Sequence, residues 1–110
     1  MTTVRVEIEW PHDRGGAGAV AFVRVEDVSF LDAGAVTVAE QVLGDLDAAP
    51  EVVLLPVDGI DPRHDYTVRV HVSRTGSSEV AVGDLVSVAS HPVLTRGFGD
   101  SVRVGLQVVR

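Results

Sequence analysis

The stretch VRVEIEW, residues 4–10, alternates Val4, Val6, Ile8 and Trp10 with Arg5, Glu7 and Glu9. Successive side chains of an extended chain point to opposite faces, so a period of two predicts a strand with one apolar face and one solvated face. The pattern returns further along. Tyr66, Val68, Val70 and Val72 oppose Thr67, Arg69, His71 and Ser73, and Val102, Val104, Leu106 and Val108 oppose Arg103, Gly105 and Gln107. Half-wet strands of this kind belong to antiparallel sheets packed on one side only.

Less regular segments lie between them: AVAFVRVED (19–27), AVTVAEQVL (35–43), EVVLLPV (51–57) and EVAVGDLVSVAS (79–90). The second has a helical alternative, since Val36, Ala39, Leu43 and Leu46 would share one helix face. Its β-branched residues at 36–38 and Gly44 favour a strand. Pro56 cannot donate to a ladder, which puts its strand at an edge or ends it there. Gly83-Asp84 predicts a bulge or break.

Turn signals fall between these segments. DRGGAG (13–18) reads as a loop, DGIDPRHD (58–65) carries Asp-Gly and Asp-Pro signals, and RTGSSE (74–79) closes a hairpin. About seven strands in one domain spanning 1–110 predict an all-β fold, an antiparallel β-sandwich of immunoglobulin or transthyretin type, with a small closed barrel as the competitor.

Composition removes several function classes. The 110 residues carry a net charge of −7, and all nine basic residues are arginines scattered singly from Arg5 to Arg110, which argues against nucleic acid as a partner. There is no cysteine for a disulfide, a thiolate metal site, a thiol nucleophile or a lipid attachment. The first residues form neither a signal peptide nor a membrane span, so the chain as given reads as cytoplasmic.

Four stretches occur in an order that resembles the YscW/YbaY-type family of small bacterial domains: VRVEDVS (23–29), VAEQVL (38–43), LPVDGIDPRHDYTVRVHV (55–72) and SHPVLTRGFGDSVRVGLQVV (90–109). The similarity spans about residues 20–109. It implies a compact β-sandwich, typically a periplasmic lipoprotein, some of whose relatives are pilotins or chaperones for a secretin in type III secretion. The family brings no catalytic residues with it.

Each candidate site also has a plainer role. His12-Asp13, His64-Asp65 and His91 invite a metal or acid–base reading, but zinc needs three or four converging ligands, and neighbours in extended chain point apart. Ser87 and Ser90 lack a nucleophile elbow, and DRGGAG lacks the lysine of a phosphate loop. No catalytic residue, cofactor or metal is therefore expected. The apolar run Val53, Leu54, Leu55 cannot lie wholly on one face of a strand, so part of it is expected on the surface. Val53 and Leu55, with Arg96 and Phe98 of the HPVLTRG corner (91–97) and the RGFGD loop (96–100), are the candidate contacts for a partner. Phe98 is expected to fold onto the core unless it is such a contact. Pro92 and Gly97 are expected to end one strand and turn into the last, with Arg96 paired to Asp100 or to a carboxylate across the end loops. The reading that results is a non-enzymatic binding or chaperone-like module that engages a protein or apolar ligand through a sheet edge or an inter-sheet groove. A homodimer formed by edge-strand pairing is the alternative, and a histidine and carboxylate metal-dependent enzyme comes after it.

Overall fold

A computed structural model describes residues 2–11, 18–30, 34–44 and 51–110. Their strands are β1 (Thr2–Glu9), β2 (Val20–Asp27), β3 (Val36–Leu43), β4 (Val52–Val57), β5 (Tyr66–Ser73), β6 (Leu85–Ser87), β7 (Pro92–Val93) and β8 (Ser101–Val108). They hydrogen-bond in the order β3-β2-β5-β6-β8-β1-β4, with β7 attached beside β5. The two ends of that order, β3 and β4, lie against each other with no ladder between them, so the sheet curls into a nearly closed barrel.

This corrects the expected antiparallel sandwich of about seven strands. β8 runs parallel to β1, pairing Val6 with Val102 and Ile8 with Val104, and every other pairing is antiparallel. The mixed sheet arises where the chain rounds the HPVLTRG corner and enters β8 beside the start of β1, where the Arg5 N–H donates to the Asp100 carbonyl at 2.7 Å.

Alternation decides what lies inside. Val4, Val6 and Ile8 of β1 meet Val23 and Val25, Val53, Leu55 and Val57, Tyr66, Val68 and Val70, Val93 and Val104 in one buried cluster. A smaller cluster of Ala19, Ala21, Val72 and Leu85 is joined to it by Trp10, Leu43 and Leu106. Fully burying each such side chain stabilises the fold by roughly 1.5–3 kcal/mol before entropy is counted, so the stiff, β-branched valines supply both the strand preference and the core.

The outer face is laced by charge. Arg103 reaches Glu7 at 3.2 Å and Glu9 at 3.4 Å across the parallel β1–β8 pair, and Arg5 lies 3.6 Å from Glu7. Segment 35–43 is the strand β3, as its valines and threonine require. Pro56 sits on the edge strand β4, and the 79–90 segment keeps only β6 as strand after breaking at Gly83, whose φ is +95°.

Candidate functional site

β3 is the exposed edge of the barrel. Opposite β2, its Ala39 and Leu43 face Val25 and Ala21 and pack on the core, while Glu40 and Val42 face Arg24 and Phe22 on the outside. A register shift at Val25/Glu26 leaves Val38 as an extra residue on β3, the kind of bulge that bends an edge strand. Val36 and Val42 are 48% and 52% exposed, and no residue of β3 is fully buried. Unpaired edges are usually blunted by proline, lysine or inward charge. β4 has Pro56; β3 has only Glu40, whose carboxylate is already held by the Arg24 guanidinium.

Val53 and Leu55, expected as partner contacts, are 3% and 1% exposed and belong to the core. The register that pairs Val6 with Val53 and Val4 with Leu55 turns them inward, and leaves Leu54 between them 56% exposed. Leu54 is therefore the surface member of that run, on the strand that faces β3 across the seam.

The corner brings the other expected residues to one end. Leu94, Arg96 and Gly97 have φ of 75°, 60° and 87°, three left-handed residues in four, a conformation that costs a non-glycine residue on the order of 1 kcal/mol. Bonds from Leu94 N–H to the Gly99 carbonyl at 2.8 Å and from Phe98 N–H to the Thr95 carbonyl at 3.0 Å hold it. The Thr95 hydroxyl donates to the His64 carbonyl at 2.6 Å. Arg96 pairs across the loops with Asp65 at 3.0 Å and also donates to the Arg63 carbonyl at 2.6 Å; Asp100 is not its partner. Phe98 does not fold onto the core but is 50% exposed. Pro92 begins the short strand β7 rather than ending one, opposite Thr67, while Val93 is buried and Leu94 packs beside it.

His64 and Asp65 point to different partners, His64 from the turn that its N–H closes on the Asp61 carbonyl at 3.0 Å. The His64 Nδ1 lies 2.7 Å from Asp27, its Nε2 lies 3.6 Å from Asp61, and Phe30 meets the ring edge-on at 5.1 Å. Burial pushes the Asp27 carboxyl up, but the bonds from Ser29 and His64 outweigh it and the net shift is downward. Asp61 is held at about 2, mainly by hydrogen bonds from Arg63. His12, Asp13 and most of DRGGAG lie outside the described residues, and among those described no three His, Asp or Glu side chains gather as a metal-binding group. The Ser87 hydroxyl accepts the Val70 N–H at 3.1 Å, a structural role.

No protein-family model and no curated protein matches this sequence. The fold is similar to the structure of an alternative pilotin from the type II secretion system of Vibrio cholerae, with a TM-score of 0.78 and 22% sequence identity over 99% of this chain and 97% of that one. At that identity the likeness is one of fold. It is to a pilotin of type II secretion, whereas the motif resemblance points to type III. No helix among the described residues is long and apolar enough to cross a membrane.

Sequence reasoning missed one cluster. His71 sits on the nominally wet face of β5, yet it is 3% exposed and its Nε2 lies 2.8 Å from Asp84, itself 1% exposed. Asp84 also accepts the Arg74 and Ala81 N–H groups at 3.0 Å each, and Phe22 stacks on the imidazole at 5.7 Å. Burial pushes the Asp84 carboxyl up, but these bonds outweigh it and the net shift is downward. The only sequence signal was the Gly83-Asp84 break. The pair closes the 74–84 connection over the sheet and presents no open acid–base geometry to a substrate.

Proposed function

We propose that this chain is a non-enzymatic protein-binding module, chaperone-like or pilotin-like, which takes a partner segment as an added strand along β3. The observation that carries this reading is the β3 edge: a full-length strand that, among the described residues, is hydrogen-bonded along one side only, with exposed valines and no proline or lysine to block pairing. Main-chain hydrogen bonds to such an edge supply affinity, and alternate side-chain positions supply specificity. Val42 and Leu54 would flank the incoming strand on the two sides of the seam. The fold likeness to a pilotin and the motif resemblance to YscW/YbaY-type domains support a secretin-like protein as the partner class.

The test uses the purified chain and its Val42→Lys variant as baits in extracts of the native organism, with hydrogen exchange on the recovered complex. A partner lost by Val42→Lys, together with slowed exchange at 36–43, supports strand addition. Equal capture by both baits, or protection elsewhere, refutes it. Sizing at several concentrations separates pairing with a second copy from pairing with another protein.

A further inference from the structure

The hydrogen-bond parity of the sheet fixes which main-chain groups of β3 a partner can reach. In an antiparallel ladder a residue turns both its N–H and its C=O to one neighbouring strand, and the next residue turns both to the other. On β5, the Val68 and Val70 N–H groups go to the His91 carbonyl and the Ser87 hydroxyl at 3.0 and 3.1 Å, away from β2. Thr67, Arg69, His71 and Ser73 therefore turn theirs to the residues opposite them on β2, which are Glu26, Arg24, Phe22 and Val20. The Val28 N–H continues that set by donating to the Asp65 carbonyl at 2.9 Å.

Ala21, Val23 and Val25 are left to face β3. They stand opposite Leu43, Gln41 and Ala39, so those three bond to β2, and Glu40 and Val42 turn their N–H and C=O groups to the open side. Among the described residues nothing meets these groups. The register shift that leaves Val38 as an extra residue ends this stretch of edge, because a bulge interrupts the ladder and bends the strand. The edge thus offers two donors and two acceptors, on residues two apart.

Side chains set the chemistry of what pairs there. Those of Glu40 and Val42 lie on the outer face with Arg24 and Phe22. Arg24 already holds the Glu40 carboxylate, and across the seam Glu7 is met by Arg5 at 3.6 Å and by Arg103 at 3.2 Å. The charges flanking the edge are thus neutralised in pairs, while Val42 and Leu54 are 52% and 56% exposed. A charged side chain arriving here gives up water and finds no free counter-charge, whereas a β-branched one covers Val42.

We propose that the partner segment is an uncharged extended chain running antiparallel to β3, with an apolar residue opposite Val42 and a small polar residue two positions later opposite Glu40, neither of them proline. This rests on strand addition at β3 and names the segment that adds.

The probe is acetyl-Ser-Val-Ser-Thr-Ser amide, titrated into the isotope-labelled full chain. In the chain alone, the Glu40 and Val42 amides are expected to exchange about tenfold faster than those of Gln41 and Leu43. The peptide should bind saturably and slow exchange at Glu40 and Val42. N-methylation of its Val and Thr should abolish binding, N-methylation of the Ser between them should not, and lysine in place of Val or Thr should weaken it about tenfold. Val42→Pro removes only an outward N–H, so it should abolish binding with the fold kept, while Val42→Thr still binds. Binding that depends on the middle N–H, or that lysine tightens, overturns the proposed segment and leaves strand addition standing. No response at 36–43 also overturns it; strand addition then falls as well only if a protein partner captured by the chain leaves 36–43 unprotected.

Discussion

Replacing Asp84 by asparagine tests whether the buried carboxylate holds the 74–84 connection in place. One carboxylate oxygen accepts the His71 Nε2–H at 2.8 Å and the Ala81 N–H at 3.0 Å, and the other accepts the Arg74 N–H at 3.0 Å. An asparagine has one acceptor oxygen. Whichever way its amide is turned, its NH2 faces the N–H of Arg74 or of Ala81. One buried donor left unsatisfied costs about 1–3 kcal/mol, and loss of the charge on the remaining bonds adds to it, so the expected destabilisation is about 2–4 kcal/mol. That is a large share of the ~5–15 kcal/mol by which a domain is stable. Equilibrium urea unfolding followed by circular dichroism and by the fluorescence of Trp10 reads it as a lower midpoint at unchanged slope. The pH dependence adds a second constraint. The folded Asp84 carboxyl lies below its ordinary value, so its contribution is complete above the unfolded carboxylate range near about 4 and is lost as pH falls through the folded value. The deficit of Asp84→Asn should therefore hold from pH 7 to 5 and shrink below that. A difference under about 0.5 kcal/mol at pH 7, or a deficit that grows toward low pH, would refute the reasoning.

Three further outcomes follow from the geometry. Leu55→Ala should cost about 2–4 kcal/mol and Leu54→Ala less than about 0.5 kcal/mol in the same unfolding assay, because one side chain is 1% and the other 56% exposed. Arg96→Ala should cost about 1 kcal/mol, because the pair with Asp65 is half exposed and the left-handed φ of 60° remains, and Arg96→Gly should cost less because glycine accepts that φ freely. Gly97→Ala meets no atom within 4 Å, so its cost of about 1 kcal/mol should come from the φ of 87° alone, with an unchanged spectrum of the folded state.

Strand identity was readable wherever the period of two was clean. β1, β5 and β8 fall where Val4–Trp10, Tyr66–Ser73 and Val102–Val108 place them, to within a residue or two, and Pro56 marked an edge strand. The same rule failed at His71, because alternation tells which face a side chain takes but not whether a later segment covers that face. Val53 and Leu55 were misplaced for a related reason. A run of apolar residues states that some must face outward, and only the pairing with Val6 and Val4 shows that the outward one is Leu54. At the corner, Arg96 was expected to find a carboxylate across the loops and does, while the choice of Asp65 over Asp100 depends on where the 58–65 loop is held.

By itself the sequence determined the all-β class, most strand positions, the valine core and the break at Gly83-Asp84, because each follows from local backbone preference and the hydrophobic period. Only the tertiary structure decided that β8 lies parallel to β1, that β3 and β4 meet without pairing, and that the sheet curls toward a barrel. Those features depend on which strands become neighbours after the chain has turned. Side-chain alternation is the same for parallel and antiparallel partners, so it carries no record of that choice.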